Sequence, residues 1–476
     1  MQNCRHQINR NWSVALILVL TPFLLWATIL ILPTFDDWTS LTSPSFEPLL
    51  TKERWLFFGY HWRPFDSVFG YILGLHPLGL FPTLNHCCVV LGHICCSWII
   101  YKLLSTLGFN MTAVNMATFF FFITPAAMAT VLAIDSMNQT YALMWGLLSF
   151  WVYIQQKGEK YPIYITLIFI ATLCKENGLM WAIINPVLAF GYDIINRKKL
   201  KKDLVIGIIM MITYATAIIL LPKNIIIHPE YEPGIIKMMN NGAKFLLTTF
   251  VTIDYIYLLH QPNRNLLLAV VSFLLTLPFF YYIFIRKASV LKDKKVICSL
   301  LSLLIAASPH IMTIFSMMHT YAGLPFLAII MAYAINRYEQ KIKAVTITFV
   351  FCILSAIAID IHLWFASYQS GMIGKEMAVE AIKKTGAPVK NVYLITIEDN
   401  YPKLSSFCVI PYEAFGWGIA TRRETDYQWP EVITDTIIER SPTAKKEAVK
   451  IGRNILSKKK FDCVWIVDHK QIDVIK

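Results

Sequence analysis

The chain has 476 residues, is 56% hydrophobic, and carries a formal charge of +13 with a mean hydropathy of +0.53. That apolar content excludes an ordinary soluble globule and points to a membrane protein with many spans. No basic–aromatic RNA motif, zinc-finger spacing or Gly-rich phosphate loop accompanies the positive charge, so basic cytoplasmic loops explain it better than nucleic-acid binding.

Arg5 and Arg10 precede an apolar run from Trp12 to Pro33. The run is too long for a signal-peptide core and no small-residue cleavage site follows, so it reads as an uncleaved first helix. A spanning helix needs about 20 apolar residues. On that measure the predicted spans are 12–33, 82–104, 111–133, 138–154, 161–174, 178–195, 204–221, 266–285, 296–314, 321–335 and 344–366, about eleven in all. With the N-terminus inside, the inner segments hold 18 Lys and Arg and the outer segments before the tail hold 8. This follows the positive-inside rule and puts the C-terminus outside. The reading is an integral, multi-pass protein of a bacterial inner membrane, with the endoplasmic reticulum as the alternative. Cys87, Cys88, Cys95 and Cys96 lie in an apolar span and read as small core residues.

Two outer segments are long. Residues 34–81 are rich in aromatics and suit helices lying in the membrane interface. Residues 222–265 open on Pro222 and include His228-Pro229-Glu230, a loop signal, followed by an apolar stretch from Ala243 to Leu259 that reads as interfacial or re-entrant. From about residue 370 the composition changes, and residues 375–476 carry 31 of the 73 charged residues. Segments 391–397 and 461–467 read as buried strands and 444–458 as a basic amphipathic helix. The expected organisation is a transmembrane domain over 1–369 and a small extracytoplasmic α/β domain over 370–476, in which Cys408 and Cys463 could pair if exported.

Charges retained at the outer ends of apolar spans are the candidate functional residues, because ionisable groups there are costly unless they face water, a cavity or a partner. Asp36-Asp37 follows the first span; the pair could deprotonate a hydroxyl, bind a divalent cation, or simply hydrate a helix end. Arg63 in Trp62-Arg63-Pro64 offers a planar fork of donors to a phosphate, or snorkels to headgroups. Lys175-Glu176-Asn177-Gly178 splits the apolar stretch 161–195; Lys175 could hold a phosphate and Glu176 orient it, unless the four residues are only a solvated turn. Asp135, ending the third span, could supply a further carboxylate. His319 could bond a phosphate or an acceptor, with Tyr321 and Pro325 marking the same helix end. His61, His76, His86 and His93 read as structural. No nucleotide-binding fold is present, so an activated donor would have to arrive as a lipid.

Taken together, Asp36-Asp37, Trp62-Arg63-Pro64, Leu84-Asn85-His86, Lys175-Glu176-Asn177-Gly178 and the segment from Tyr321 to Pro325 resemble the membrane-embedded GT-C superfamily of glycosyltransferases. The likeness is to its protein O-mannosyltransferase and lipid A aminoarabinose transferase branches, over about residues 12–366. The chain departs from that pattern at Thr124-Pro125-Ala126-Ala127, where related sequences carry His-Pro followed by Glu, and at His319-Thr320, where an arginine is common. The resemblance implies inverting transfer of a sugar from a polyprenyl- or dolichyl-phosphate carrier to a glycan, lipid or protein acceptor on the outer face. Asp37 or Asp36 would be the base, Asp135 and Glu176 supporting acids, and Arg63, Lys175, His319 and Tyr321 the groups around the lipid phosphate, with a divalent cation at Asp36 and Asp37 left open. The rival readings are a lipid-linked saccharide transporter or flippase, an envelope polysaccharide polymerase or ligase, and a scaffold whose tail binds a partner.

Overall fold

The computed structural model describes residues 11–40, 63–73, 81–220, 234–251, 263–281, 291–313, 315–337, 342–398, 410–425, 428–429 and 432–476. Its helices, in chain order, are α1 (Trp12–Ile29), α2 (Pro64–Leu73), α3 (Thr83–Thr106), α4 (Met111–Ile123), α5 (Pro125–Val131), α6 (Met137–Gln155), α7 (Tyr161–Cys174), α8 (Trp181–Gly191), α9 (Arg197–Leu220), α10 (Ile235–Leu246), α11 (Asn263–Phe280), α12 (Lys294–Met312), α13 (Leu324–Asn336) and α14 (Ile342–Thr385). Among the described residues, every predicted apolar segment overlaps one of these helices or, for 111–133, the pair α4 and α5. By length and composition, four of the described helices can cross a membrane: α1, α3, α12 and α14. A fifth crossing arises if α4 and α5, bent by 48° at their junction, form one broken span. Pro125 causes that bend, since the residue before a proline leaves the helical region, as Thr124 does with ψ 137.

Helix α13 is buried along its whole length from Leu324 to Ile335, as a helix apolar on all sides must be. It packs on α4 and α12, with Phe120, Phe121, Phe150 and Phe326 in the shared core. Helix α1 is the opposite case. Phe23 and Trp26 are each 65% exposed, and Ile208, Ile209 and Ile212 of α9 are exposed as well. So much continuous apolar surface is unstable against water and stable against lipid tails.

Helices α8, α12 and α13 all run between the same two ends of the bundle. One end is marked by Asp193, Asp293 and Arg337, where Lys294 bonds Asp193 at 2.6 Å and Arg337 bonds Asp293 at 3.1 Å. The other end is reached by Glu176–Met180, His310 and the turn Met317–Ala322. On the expected topology the first end would fall among the basic inner loops and the second on the outer side.

The tail is an α/β unit with a four-stranded sheet in the order β2-β1-β3-β4, formed by β1 (Val392–Ile397), β2 (Val432–Ile438), β3 (Cys463–Asp468) and β4 (Gln471–Ile475). β1 pairs in parallel with β2 and β3, and β3 is antiparallel to β4. One face packs on the end of α14 and on two short helices, α15 (Pro411–Ala414) and α16 (Ala420–Glu424). The other packs on α17 (Ala444–Ser457). The expected boundary at residue 370 falls inside α14, which continues to Thr385, so Met377, Ala378 and Ala381 belong to the tail's core. Cys463 is buried in that core, whereas Cys408 lies outside the described residues.

Asp293 fastens two of the buried helices at the basic end. Its carboxylate caps α12 through the Lys295 amide at 2.9 Å and accepts from Arg337 and the Tyr333 hydroxyl on α13. Burial opposes the charge, but the hydrogen bonds from Tyr333 and Lys295 and the nearby cations outweigh it, so the carboxyl titrates below its usual range. A depressed folded-state pKa stabilises the fold above the unfolded value of about 4 and loses that effect as pH falls through the folded value. Asp293→Ala is expected to cost about 1–2 kcal/mol at neutral pH, from the cap and charged hydrogen bonds. The difference in melting temperature between variant and wild type in detergent should narrow below about pH 4.

Candidate active site

Two breaks in regular helix create the site. Helix α7 stops at Cys174 because Lys175 takes extended backbone angles (φ −156, ψ 141), and the chain re-enters through the tight turn Glu176–Met180. Gly178 makes the re-entry possible: a Cβ there would stand 2.3 Å from the Ala171 carbonyl carbon, which is helical backbone and cannot give way. The second break follows α5, where residues 132–136 lead into α6. After α1, the turn Phe35–Ser40 meets the second break through the Asp135 N–H and Asp37.

Asp37 holds the non-helical segments together. It is 5% exposed. One carboxylate oxygen accepts the Asp135 N–H at 3.0 Å and the other accepts the Thr34 N–H at 3.3 Å. Burial first, and then the Asp135 charge, push its pKa up to about 8, although the backbone N–H groups pull it down. Asp36 is open to solvent but crowded by protein on its other sides. That crowding, then Asp135, then Glu413 raise its pKa to about 7. Asp135 is also raised by burial, against the opposing pull of Lys175 and Arg63 and a weak hydrogen bond from Ser136 at 3.5 Å.

The cations stand opposite. Lys175 is buried, and its Nζ donates to Asn138 Oδ1 at 3.4 Å; Asn138 in turn donates to the Asp135 carbonyl at 2.9 Å. Arg63 forms a bidentate pair with Glu176, with both N–O distances 2.7 Å, and so ties α2 to the break after α7. The structure therefore brings Asp36, Asp37, Asp135, Arg63, Lys175 and Glu176 to one end of the bundle. Trp62, beside Arg63, lies outside the described residues, as do His61 and His76.

The last two candidates divide. His319 Nδ1 accepts the Ser316 N–H at 3.0 Å, and its ring stacks at 3.9 Å on His310, which is the histidine that the charges of Lys175, Glu176 and Arg63 reach. Tyr321 does not join the group. It is fully buried and donates its hydroxyl to His93 Nδ1 at 2.9 Å, while His93 Nε2 donates to the Phe122 carbonyl at 3.0 Å. Tyr321 is a bolt between helices, and His93 is its buried partner in the core.

Of the buried polar groups at this end, Asn85, Asn177 and Thr320 lie in motifs already singled out, whereas Gln139 carries no mark in the sequence. His310 Nε2, Asn177 Oδ1, Gln139 Nε2 and Thr320 Oγ1 are buried with no protein partner among the described residues, as are both amide atoms of Asn85. Buried polar atoms in that state await water or a ligand. Glu413 of the tail acts on Asp36. A signal does exist for His310, which follows Pro309 at the end of an apolar span, but none for Glu413. Among the described residues, no three His, Cys, Asp or Glu side chains converge as a metal site. In comparisons with models of known protein families and with curated protein sequences, nothing matches the chain.

The raised carboxyls give the site a pH signature. An acid whose folded pKa lies above its unfolded value destabilises the fold as pH climbs from about 4 through the folded value, because the folded state binds more protons. The melting temperature in lipid should therefore fall as pH rises from about 4 to about 8, and Asp37→Asn should remove much of that slope. An equal slope in the variant would count against burial of the Asp37 charge.

Proposed function

We propose that the chain is a membrane glycosyltransferase that moves a sugar from a polyprenyl- or dolichyl-phosphate carrier to an acceptor hydroxyl at the outer face. The observation that carries this reading is the convergence of three carboxyls, one of them with a pKa of about 7, with Lys175 and Arg63 at one end of an apolar bundle. A base works best when its pKa lies near the operating pH, and a departing phosphate needs fixed cations. The separation of this end from the Asp193–Asp293–Arg337 end agrees with a bundle that has two opposite faces, and the bias of basic residues among the loops is what supports an extracytoplasmic site with the N-terminus cytoplasmic.

In this scheme Asp36, the carboxylate open to solvent, takes the proton of the acceptor hydroxyl. Asp37 keeps its oxygens on backbone N–H groups and holds Asp36 in place, and Asp135 raises the basicity of both. The acceptor oxygen attacks the anomeric carbon in one inverting displacement as the bond to the phosphate oxygen breaks. Lys175 and Arg63 stabilise the charge left on the lipid phosphate, with Glu176 fixing the Arg63 fork and His319 at the rim. A flippase reading draws on the broken helices at Thr124 and Lys175, since discontinuous helices line transporter sites.

The test is transfer from radiolabelled polyprenyl-phosphate monosaccharides by the purified protein in lipid, with a cell-envelope acceptor extract. Asp36→Asn should lower turnover by about 10²–10⁴-fold with donor binding retained, and the wild-type rate should rise with pH through about 7. Movement of labelled donor across the bilayer without transfer would favour the flippase, and turnover indifferent to Asp36 would remove the general-base assignment.

A further inference from the structure

The turn that carries Asp36 and Asp37 also carries Trp38, and that side chain does not stay with the bundle. It is 3% exposed and sits in the core of the C-terminal domain with Phe415, Trp429 and Trp465. Its indole Nε1 donates to the Ala414 carbonyl at 3.1 Å, across 376 residues of sequence. The ring lies on Gly416, where φ is +61 and a Cβ would stand 2.3 Å from Trp38 Cδ1. Gly416 thus answers two demands at once, a left-handed backbone and a bare surface for the indole. On either side Phe81 packs near Trp38 at 6.2 Å between ring centroids, and Phe35 near Trp417 at 5.4 Å. The helix that receives the indole, Pro411–Ala414, also carries Glu413, whose charge acts on Asp36.

Asp37 is one residue from this peg, so the domain cannot shift without moving the carboxylate that grips Asp135 and Thr34. We propose that the C-terminal domain is a working part of the carboxylate site, with Trp38 as the positioning residue through which the domain sets Asp36 and Asp37. The proposal rests on the reading of those two acids as the working groups of the chain. Asp135, from the break before α6, acts on both acids and Glu413, from the domain, acts on Asp36, while Lys175, from the break after α7, and Arg63, just before α2, act on Asp135.

The experiment uses the full chain in lipid and reads the carboxyls directly. Dicyclohexylcarbodiimide labels protonated carboxyls in apolar surroundings, and mass spectrometry of the peptide around residues 34–40 follows the labelling against pH. In the wild type labelling should disappear over about pH 7–8; in Trp38→Ala the midpoint should fall by about one unit or more as water reaches the loosened turn. Transfer in that variant should lose about tenfold or more in kcat with donor KM within about twofold. Trp38→Phe, which keeps a ring in the socket, should restore the midpoint to within a few tenths of a unit. If Trp38→Ala does not fold, Gly416→Ala carries the same test, because it displaces the indole and leaves the bundle intact. An unchanged midpoint in a folded Trp38→Ala or Gly416→Ala protein overturns the proposal, whatever the transfer assay shows. A shifted midpoint together with turnover indifferent to Asp36→Asn and Asp37→Asn upholds the coupling and instead removes the transferase reading on which its meaning rests.

Discussion

Non-helical backbone at the end of a membrane bundle has to find hydrogen-bond partners within the protein, and Asp37 is the partner that the rest of the site depends on. Its two oxygens accept from Thr34 in its own turn and from Asp135 in the break after α5. A carboxylate is a better acceptor for such N–H groups than any neutral side chain, but it brings a charge into a dry place. The energetic conflict between satisfying the backbone and burying the charge is what lifts the titration of Asp37 and its neighbours toward neutrality. The cations do not cancel it completely. Arg63 is engaged by Glu176 in a bidentate pair, and Lys175 is oriented by Asn138, so their fields reach the acids only from a distance.

Much of the bundle is legible in sequence because long apolar runs are a strong signal. The helix break at Lys175 is equally legible, since a Lys-Glu pair inside an apolar stretch is too costly to sit against lipid and has to mark a turn or a cavity. The tail is legible in part. β1 and β3 are buried throughout most of their length and stand in the sequence as continuous apolar runs. β2 and β4 are the edge strands of the sheet, and Thr434, Asp435 and Thr436 in one and Gln471 and Asp473 in the other dilute the pattern. The domain boundary misleads because composition changes at residue 370 while the helix does not; α14 runs on until Gly386, with φ +79, ends it.

At the site, charge is readable and partnership is not. Asp36, Asp37, Asp135, Arg63, Lys175 and Glu176 stand out as ions in apolar surroundings, but nothing in the sequence says that Arg63 meets Glu176 across 113 residues. Tyr321 stands out only by its position at a helix end, and its hydroxyl turns inward to His93. Trp38 passes for an interfacial aromatic. Its true neighbour, Gly416, lies in a Phe-Gly-Trp-Gly run that has no meaning until the indole is in place.

Among the described residues, α14 and the turn bearing Trp38 both attach the C-terminal domain to the bundle, and the two together matter more than either. Helix α14 has 44 residues, about 66 Å at 1.5 Å per residue, and enters the tail without a linker. A single helix would let the domain swing about its own axis. Trp38 supplies a second point of contact from the opposite end of the sequence, and two points fix an orientation that one cannot. The carboxylates lie beside that second point. A ligand that orders the domain therefore also orders the turn bearing Asp36 and Asp37, and by linkage a ligand that orders the turn strengthens binding to the domain by the same factor. On the proposed reading, this would let the domain register an acceptor before the base is set. A phosphate arriving near Lys175 would then add negative charge close to Asp135, raising the carboxyl pKa values further and making the ionised form a stronger proton acceptor when the hydroxyl docks.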